Sequence, residues 1–192
     1  MSPRVSESTK ADRDKIYVRS AFNYVDAINK AIPELTQTSL ERVRDCMSKH
    51  AVVELAPSSM TPPGKENNIN SADEHIAFIG LMRGLIKEAN IEIFDWVYAA
   101  GPRVILQPKA NGRSHTDQPY VNDFVFFMDF VDVDVDDAAV DDFTEFHKQG
   151  KHQDRAGLPK LTFIRKYIDS AFWKGYMHEE LKRAKSENLS AV

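Results

Sequence analysis

Apolar residues recur at two different spacings along the chain, and the change of spacing separates a helical part from a strand-rich part. Within residues 14–33, and again within about 34–49, apolar positions lie three or four residues apart, which predicts two amphipathic helices. Ser71 and Glu74 have the spacing of a capping box, which predicts that a third helix begins there and runs to about Ala89.

The second half of the chain alternates as strands do. A short first strand is predicted at 50–57, before the third helix. After residue 90 the pattern predicts consecutive strands at 90–100, 103–110, 120–135 and 159–167, turns at Gly101-Pro102 and Asn111-Gly112, and a closing helix at 170–185. This order is typical of an α+β domain whose helices pack on one face of a curved sheet.

The ends of the chain and one internal segment lack such periodicity. Residues 1–12 are polar and are expected to form a disordered arm. Residues 13–186 are expected to form a single domain, and 187–192 a tail. The acidic and polar segment 136–158 interrupts the last hairpin, and we expect it to be peripheral and mobile because it is long for such a connection.

Composition narrows the function classes. A chain of 192 residues with 42% hydrophobic and 28% charged residues is that of one ordinary globular domain. A net charge of -4 argues against nucleic acid as a partner. The single cysteine provides no disulfide framework, and no spacing predicts a metal site. Apolar runs are far shorter than the roughly twenty residues that span a bilayer, and the polar N-terminus has no secretory signal, so a cytoplasmic location is expected.

Polar residues lie at the ends of two strongly apolar strands near the end of the chain. Asn122 and Asp123 precede the aromatic run 124–130, and Tyr167 and Asp169 end the last strand where a helix begins. Polar groups among apolar strands are typical of a small-molecule pocket. Carboxylates in such a pocket would have raised pKa values and could exchange protons near neutral pH.

These two strands resemble the ending of the NTF2-like superfamily and, within it, of the SnoaL-like branch. The resemblance rests on Asn122-Asp123, on the aromatic strand 124–130, and on the basic-x-Tyr-x-Asp sequence at 165–169. The continuation at 170–173, Ser-Ala-Phe-Trp, resembles the version found in fungal secondary-metabolite clusters. The insertion of about twenty residues in the last hairpin departs from the family pattern.

The resemblance implies a cone-shaped, curved antiparallel sheet with helices packed on its concave side and a ligand entering at the open end. Family members that are enzymes need no cofactor, and they include polyketide cyclases, meroterpenoid isomerases, dehydratases and epoxide hydrolases. The resemblance therefore implies acid–base cyclisation or isomerisation of a polyketide or terpenoid intermediate, with a small apolar or polycyclic substrate. We also expect a homodimer.

Asp169 matches the family's final-strand aspartate, and the resemblance implies that it moves the proton. It shares the odd-numbered face of the strand with Arg165 and Tyr167. Arg165 is therefore expected to orient Asp169 or stabilise charge, and Tyr167 to contact the substrate. The alternative is that Asp169 caps the helix beginning at Ser170, because Asp is a favoured N-cap residue.

Asn122 and Asp123 are the expected assistants of Asp169. Adjacent residues of a regular strand point to opposite faces, so only one of the two faces the cone unless a bulge intervenes. Asn122 shares its face with Phe126, which is expected to contact the substrate. The alternative for both polar residues is a hydrogen bond that closes the sheet edge.

Four further candidates lie earlier in the chain. Tyr24, on the first helix, is expected to stabilise a developing enolate or alkoxide, and His75 to contact the substrate as a proton shuttle. Trp96 and Tyr98 alternate along one strand and are expected to form a flat wall against a polycyclic substrate. The alternatives are core packing for the aromatic residues and a solvated position for His75.

Two other functions compete with a cyclase or isomerase. In an epoxide hydrolase, Asp123 and Asp169 bridged by Arg165 would supply the water-activating carboxylate and the acid. A non-catalytic binding module would use its cavity, or segment 136–158, for a ligand or protein partner. Two titratable groups facing one enclosed cavity would favour an enzyme, whereas a cavity without a carboxylate would favour binding.

Overall fold

The computed structural model describes residues 10–57, 68–69, 71–132 and 157–186. The predictions for the N-terminal arm, for most of segment 136–158 and for the C-terminal tail lie outside these residues. The elements, in chain order, are α1 (Lys10–Glu34), α2 (Gln37–Asp45), β1 (Met47–Ala56), β2 (Asn68–Ile69), α3 (Ala72–Arg83), β3 (Ile86–Ala100), β4 (Arg103–Ser114), β5 (Pro119–Val131), β6 (Lys160–Ile168) and α4 (Ser170–Ser186).

The described strands form one curved, unclosed sheet in the order β2-β1-β6-β5-β4-β3. Strands β3 to β6 pair antiparallel in succession, as the consecutive strand pattern predicted. Strand β1 pairs parallel with β6. The sheet is therefore mixed: the expected antiparallel pairing holds from β3 to β6, and β1 departs from it because it runs beside β6 in the same direction.

Helices α1 and α3 pack on the concave face of the sheet. Ala21, Ala27 and Ala31 of α1 are fully buried and allow its backbone to lie close to the strands. Asn29 joins the helix to β3 because its side-chain nitrogen donates to Ile91 O at 2.9 Å and its side-chain oxygen accepts from Ile91 N at 2.7 Å. None of the described helices is long and apolar enough to cross a membrane.

Helix α3 begins where the capping pattern predicted but ends earlier. The Ser71 side chain accepts a hydrogen bond from Glu74 N at 3.1 Å. The helix ends at Arg83, and β3 begins at Ile86, so the predicted continuation to Ala89 was wrong. The residues after Gly84 keep a helical apolar spacing, but they belong to a strand that is bent between 86 and 88. Helix α2 likewise ends at residue 45 and not at 49.

Gly112 lies inside strand β4, so the predicted turn at Asn111-Gly112 was wrong. The chain reverses further on, at residues 115–118. A Cβ atom at Gly112 would lie 2.0 Å from the carbonyl oxygen of Glu88, in the neighbouring strand. Glycine is therefore needed here because another backbone approaches closely, which is a second common reason for glycine in a strand.

An irregularity in β6 decides which of its side chains face the interior. Phe130 pairs with Leu161, but Asp129 pairs with Phe163, so the register shifts by one residue at Thr162. Leu161 and Ile164 are both completely buried although they are three residues apart. The odd-numbered residues after the shift consequently lie on the convex face, and the even-numbered ones lie on the concave face.

Candidate functional site

A cavity of about 480 Å³ lies between the concave face of the sheet and helices α1, α3 and α4. It lies where a cone with α1 and α3 on its concave side would hold a ligand, and α4 adds Trp173 and Met177 to its wall. Most of the wall is apolar, with Ile28 and Ile32 from α1, Phe78 and Met82 from α3, and Phe124 and Phe126 from β5. A cavity of this size suits a small organic molecule.

Three titratable residues belong to this wall: His75 of α3, Tyr120 of β5 and Lys166 of β6. Among the described residues that line the cavity there is no Asp or Glu. The carboxylates on which the sequence interpretation depended therefore lie elsewhere, and the titratable groups of the cavity are an amine, an imidazole and a phenol.

Lys166 lies on the concave face between Leu55 of β1 and Phe126 of β5, its two partners in the sheet. Its Nζ lies 5.3 Å from the ring centroid of Tyr24 and 5.5 Å from that of Phe126. Burial among these groups lowers the pKa of Lys166 to about 7. No described residue forms an ion pair with this lysine, so no carboxylate among the described residues offsets the cost of burying its charge.

Tyr24 and His75 form a buried pair between α1 and α3. The Tyr24 hydroxyl and Nε2 of His75 share a hydrogen bond of 2.8 Å, and both side chains are about 99% buried, with 1% exposure each. Burial, with a smaller contribution from the charge of Lys166, holds the pKa of His75 well below its usual value. Burial raises the pKa of the Tyr24 hydroxyl, with a smaller contribution from Cys46. At neutral pH both groups are therefore uncharged.

Tyr120 is held by aromatic side chains of α4. Its ring centroid lies 6.2 Å from Phe172, 6.2 Å from Trp173 and 5.3 Å from Tyr176. Burial raises the pKa of its hydroxyl, and the neighbouring Asn122 opposes that shift. The Tyr120 hydroxyl thus remains protonated, and it is able to donate a hydrogen bond to a ligand in the cavity.

Asn122 is 2% exposed and lies on the concave side of β5, whereas Asp123 is exposed on the convex side. Asn122 lies beside the Tyr120 hydroxyl, but neither atom of its amide has a regular hydrogen-bond partner among the described residues. Asn122 is not part of the cavity wall. A catalytic role for Asn122 stays a prediction, and no contact with the cavity supports it.

Asp169 does not line the cavity. Its carboxylate is exposed and accepts hydrogen bonds from Ala171 N at 3.0 Å and Phe172 N at 3.1 Å, the first free amides of α4. These are the contacts of the capping alternative. A catalytic role for Asp169 stays a prediction, and no contact with the cavity supports it.

The other convex-face candidates are also separated from the cavity. Arg165 Nε donates to Glu54 Oε2 at 2.8 Å, and Asp123 lies 3.9 Å from Lys109 Nζ. Tyr167 is exposed and packs edge-on against Phe127, with 5.7 Å between ring centroids. The structure therefore does not bring Asp123, Arg165 and Asp169 together around one cavity, as an epoxide hydrolase of that design requires.

The remaining predicted substrate contacts divide between the two faces. Phe126 lines the cavity, as does His75. Tyr98 is 54% exposed and pairs with Ile105, outside the cavity wall. Trp96 lies in β3, but its side chain is outside the part of the chain that the structure describes.

Sequence reasoning missed Lys166 and Tyr120. The signal for Lys166 was present, because it alternates with Ile164 and Ile168 and is the one charged residue in that apolar set. Strict alternation from Leu161 places Lys166 on the opposite face, because it does not include the register shift at Thr162. Tyr120 gives no comparable signal, since tyrosine has an apolar ring with a polar tip and is found on both buried and exposed faces.

Comparisons with known proteins establish the fold. No family model matches the sequence, and no curated protein matches it. The pinacolase BvnE from Penicillium brevicompactum superposes with a TM-score of 0.60 at 13% identity over 88% of this chain and 97% of that chain. A protein from Jannaschia sp. CCS1 assigned as a SnoaL-like polyketide cyclase gives 0.58 at 10% identity over 87% and 94%.

An NTF2-like protein of unknown function from Burkholderia pseudomallei K96243 gives a TM-score of 0.56 at 15% identity over 82% of this chain and 94% of that chain. Likenesses at these identities show the architecture. The chain has the NTF2-like fold, as the order of its elements and its last two strands suggested.

Proposed function

We propose that this protein is a cofactor-free acid–base enzyme of secondary-metabolite biosynthesis that cyclises or isomerises an apolar polyketide or terpenoid intermediate. The observation that carries the proposal is the amine of Lys166, poised near neutral pH in an apolar cavity beside the Tyr24–His75 pair. Similarity in fold to a pinacolase and to a protein assigned as a polyketide cyclase supports the same class of chemistry.

Lys166 is the general base in this proposal. Because burial lowers its pKa to about 7, a large fraction of the amine is neutral at pH 7 and can accept a proton. The proton comes from a carbon next to a substrate carbonyl, and the electron pair of the broken C–H bond moves into an enolate. The lysine is then an ammonium that lies close to the new negative charge.

The ammonium of Lys166 stabilises the enolate that forms beside it. Tyr120 keeps its proton because burial raises the pKa of its hydroxyl, and it lies six residues along β5 from Phe126, the partner of Lys166, so it is proposed to donate to a second oxygen at the far end of the substrate. Return of the proton from Lys166 to a different carbon isomerises the substrate. Attack of the enolate carbon on a second carbonyl of the same molecule closes a ring, and the new alkoxide takes the proton.

The Tyr24–His75 pair sets the environment of the lysine. The Tyr24 ring lies against the Nζ of Lys166, and the hydroxyl of the same residue is fixed by Nε2 of His75. A neutral His75 avoids a second positive charge in the cavity. The pair is proposed to fix the Tyr24 ring, which helps to exclude water from Lys166 and so to keep the pKa of that amine low, without itself taking the substrate proton.

Hydrogen exchange tests this proposal without knowledge of the natural substrate. The protein is incubated in D₂O with a panel of apolar cyclic ketones and 1,3-diketones, and loss of the α-hydrogen signals is followed by NMR. Wild type is expected to accelerate exchange for at least one member of the panel. Lys166→Met is expected to reduce that rate by about 10²–10⁴-fold, the usual contribution of a positioned base.

A matched control separates this lysine from amines in general. Lys109→Met removes a lysine from the convex face and is expected to exchange at the wild-type rate. Wild-type exchange in Lys166→Met would remove this residue from the mechanism. Absence of catalysed exchange, with ketones that nevertheless bind in the cavity, would reject the enzyme and leave a binding protein.

A non-catalytic ligand-binding module is the second candidate. The observation in its favour is that no carboxylate belongs to the described cavity wall. In this case the amine of Lys166 would recognise a ligand and transfer no proton. The exchange experiment distinguishes the two candidates. Both would bind apolar ketones, but only the enzyme would replace their α-hydrogens with deuterium.

We also propose that two copies associate through the convex face of the sheet. Tyr98 and Tyr167 are exposed there at 54% and 41%, and Phe127 packs against Tyr167. Ion pairs flank this apolar surface, among them Arg165 with Glu54 and Arg103 with Asp129. An exposed aromatic surface with a charged rim is typical of a protein interface.

A cytoplasmic location stays a prediction from the sequence.

A further inference from the structure

Lys166 is the one lysine, arginine, aspartate or glutamate among the described residues that line the cavity. Its neighbours in the sheet, Leu55 and Phe126, are apolar, and its Nζ lies over two aromatic rings. A cationic group placed in such a wall without a protein counter-ion is a recognition element for a negatively charged atom of the ligand.

The titratable groups around Lys166 supply no negative charge. Tyr24 of α1, whose ring lies against Nζ of Lys166, has a raised pKa and remains a neutral phenol, and so does Tyr120 further along the cavity wall. His75 of α3 has a lowered pKa and is a neutral imidazole. The elements that surround the amine therefore leave the pairing of its charge to the molecule in the cavity.

We propose that the natural ligand has a large apolar body and one acidic oxygen group, an enol or phenol, which gives its proton to Lys166 and pairs as the oxyanion with the resulting ammonium. The inference deepens the proposed function, and it rests on that proposal only in taking this cavity as the substrate site. The apolar body fills the wall formed by α1, α3 and β5, and the acidic oxygen lies at the Lys166 end.

The electrostatics make this preference measurable. A neutral apolar ligand would remove water from the ammonium and leave its charge unpaired, which favours loss of the proton. An anionic ligand restores a partner, and the ion pair in apolar surroundings raises the pKa of Lys166 again. Anion binding is therefore coupled to proton uptake by this amine at a pH above about 7.

Two fluorescent probes with the same aromatic skeleton test the inference. 1-Anilinonaphthalene-8-sulfonate carries one ionised sulfonate, and N-phenyl-1-naphthylamine is the matching molecule without that group. Affinities are measured by fluorescence titration of the full chain at pH 6 and pH 8. The sulfonate probe is expected to bind about tenfold more weakly at pH 8, because the free amine has lost its proton there. The neutral probe is expected to change by less than about twofold.

Variants assign the effect to the residue. Lys166→Met is expected to lower the affinity for the sulfonate probe by about 10–100-fold at pH 6, the contribution of a charge-assisted contact. The affinity for the neutral probe is expected to change by less than about threefold. Lys109→Met, on the convex face, is expected to change neither. Circular dichroism verifies that both variants fold, and the pH comparison on wild type needs no variant.

Equal affinity for the two probes, or a sulfonate affinity that is unchanged in Lys166→Met and between the two pH values, would overturn the inference. The result is independent of catalysis. If the protein prefers the anionic probe but labels no ketone in D₂O, the inference of an anionic ligand stands and the proposed enzymatic function is rejected. If the protein labels ketones but binds the two probes equally, the proposed enzymatic function stands and the inference of an anionic ligand is rejected.

Discussion

The hydroxyl of Tyr24 lies 2.8 Å from Nε2 of His75, which is 51 residues further along the chain. This contact joins α1 to α3 at the wall of the cavity, and both side chains are almost inaccessible. The other ring nitrogen of the histidine, Nδ1, has no partner among the described residues. The pair is thus a buried polar contact in an otherwise apolar interior, where each hydrogen bond is expensive to lose.

Removing the hydroxyl of Tyr24 should destabilise the folded protein. Tyr24→Phe leaves Nε2 of His75 without a partner, and we expect the free energy of unfolding to fall by about 1–3 kcal/mol in urea denaturation. Tyr176→Phe is the matched control, because that hydroxyl makes a longer contact of 3.3 Å to Gln118 O on a partly buried side chain. We expect the control to lose less than about 1 kcal/mol. Equal losses would show that the Tyr24–His75 contact contributes nothing special.

Lys166 should lower the free energy of unfolding, because its charge is buried in the folded state. The size of this destabilisation should depend on pH. The pKa falls from an ordinary value of 10.5 to about 7 on folding. Below pH 7 the amine is charged in both states, so the folded state bears the full cost of burying that charge. Between pH 7 and 10.5 the unfolded chain keeps a proton that the folded protein has released, and the cost diminishes as the pH rises.

Lys166→Met should therefore stabilise the protein. Each pKa unit corresponds to about 1.4 kcal/mol, and partial exposure of the side chain reduces the total, so we expect a gain of about 2–4 kcal/mol at pH 6. At pH 9.5 the gain should be less than half as large. Urea denaturation of wild type and Lys166→Met at both pH values measures this gain in unfolding free energy, and Lys109→Met is the control. A gain that does not change with pH would contradict the lowered pKa.

The fold could be predicted from the sequence further than the site could. The amphipathic helices, the cap at Ser71 and the four consecutive strands follow from local patterns, and the structure contains them. The parallel pairing of β1 with β6 could not be predicted, because it joins residues more than a hundred positions apart. No local pattern records which edge of the sheet the first strand will meet.

The register of β6 decides which of the predicted site residues share a face with the cavity. Side chains of a strand alternate, so the shift at Thr162 exchanges the faces of every residue after it. Arg165 and Tyr167 consequently lie outside and Lys166 inside. His75 and Phe126, which do not depend on the register of β6, line the cavity, and Tyr24 contacts His75 directly behind its wall.

Two glycines should respond oppositely to the same substitution. Gly112→Ala places a Cβ atom 2.0 Å from the carbonyl oxygen of Glu88, and backbone must move to relieve that contact. We expect a loss of about 1–3 kcal/mol in unfolding free energy. Gly80→Ala, in α3, meets nothing within 4 Å, and we expect a gain of about 0.5–1 kcal/mol from helix propensity. Equal effects would contradict the close approach of β3 and β4.

The proposed dimer can be tested with two equally exposed residues. Tyr167 on the convex face and Leu181 on α4 are both 41% exposed. We expect wild type to have the mass of two chains in size-exclusion chromatography with light scattering. Tyr167→Lys should shift it to one chain by burying an unpaired charge in the interface, and Leu181→Lys should leave it unchanged. A monomeric wild type would reject the proposal.

Asp169 offers the sharpest comparison between the sequence hypothesis and the geometry. Its carboxylate accepts from the amides of Ala171 and Phe172 at the start of α4, and Asn caps a helix almost as well as Asp. We therefore expect Asp169→Asn to keep both the unfolding free energy, within about 0.5 kcal/mol, and the rate of hydrogen exchange. Asp169→Ala removes the cap and should cost about 1 kcal/mol without changing the exchange rate.

The contrary outcome is equally definite. A residue that moves the substrate proton loses its titratable group in Asp169→Asn, and the exchange rate would then fall by about 10²–10⁴-fold in a variant that is still folded. That result would return Asp169 to the mechanism. It would also require α4 to move, because the carboxylate now faces solvent and caps the helix whose Trp173 and Met177 form part of the cavity wall.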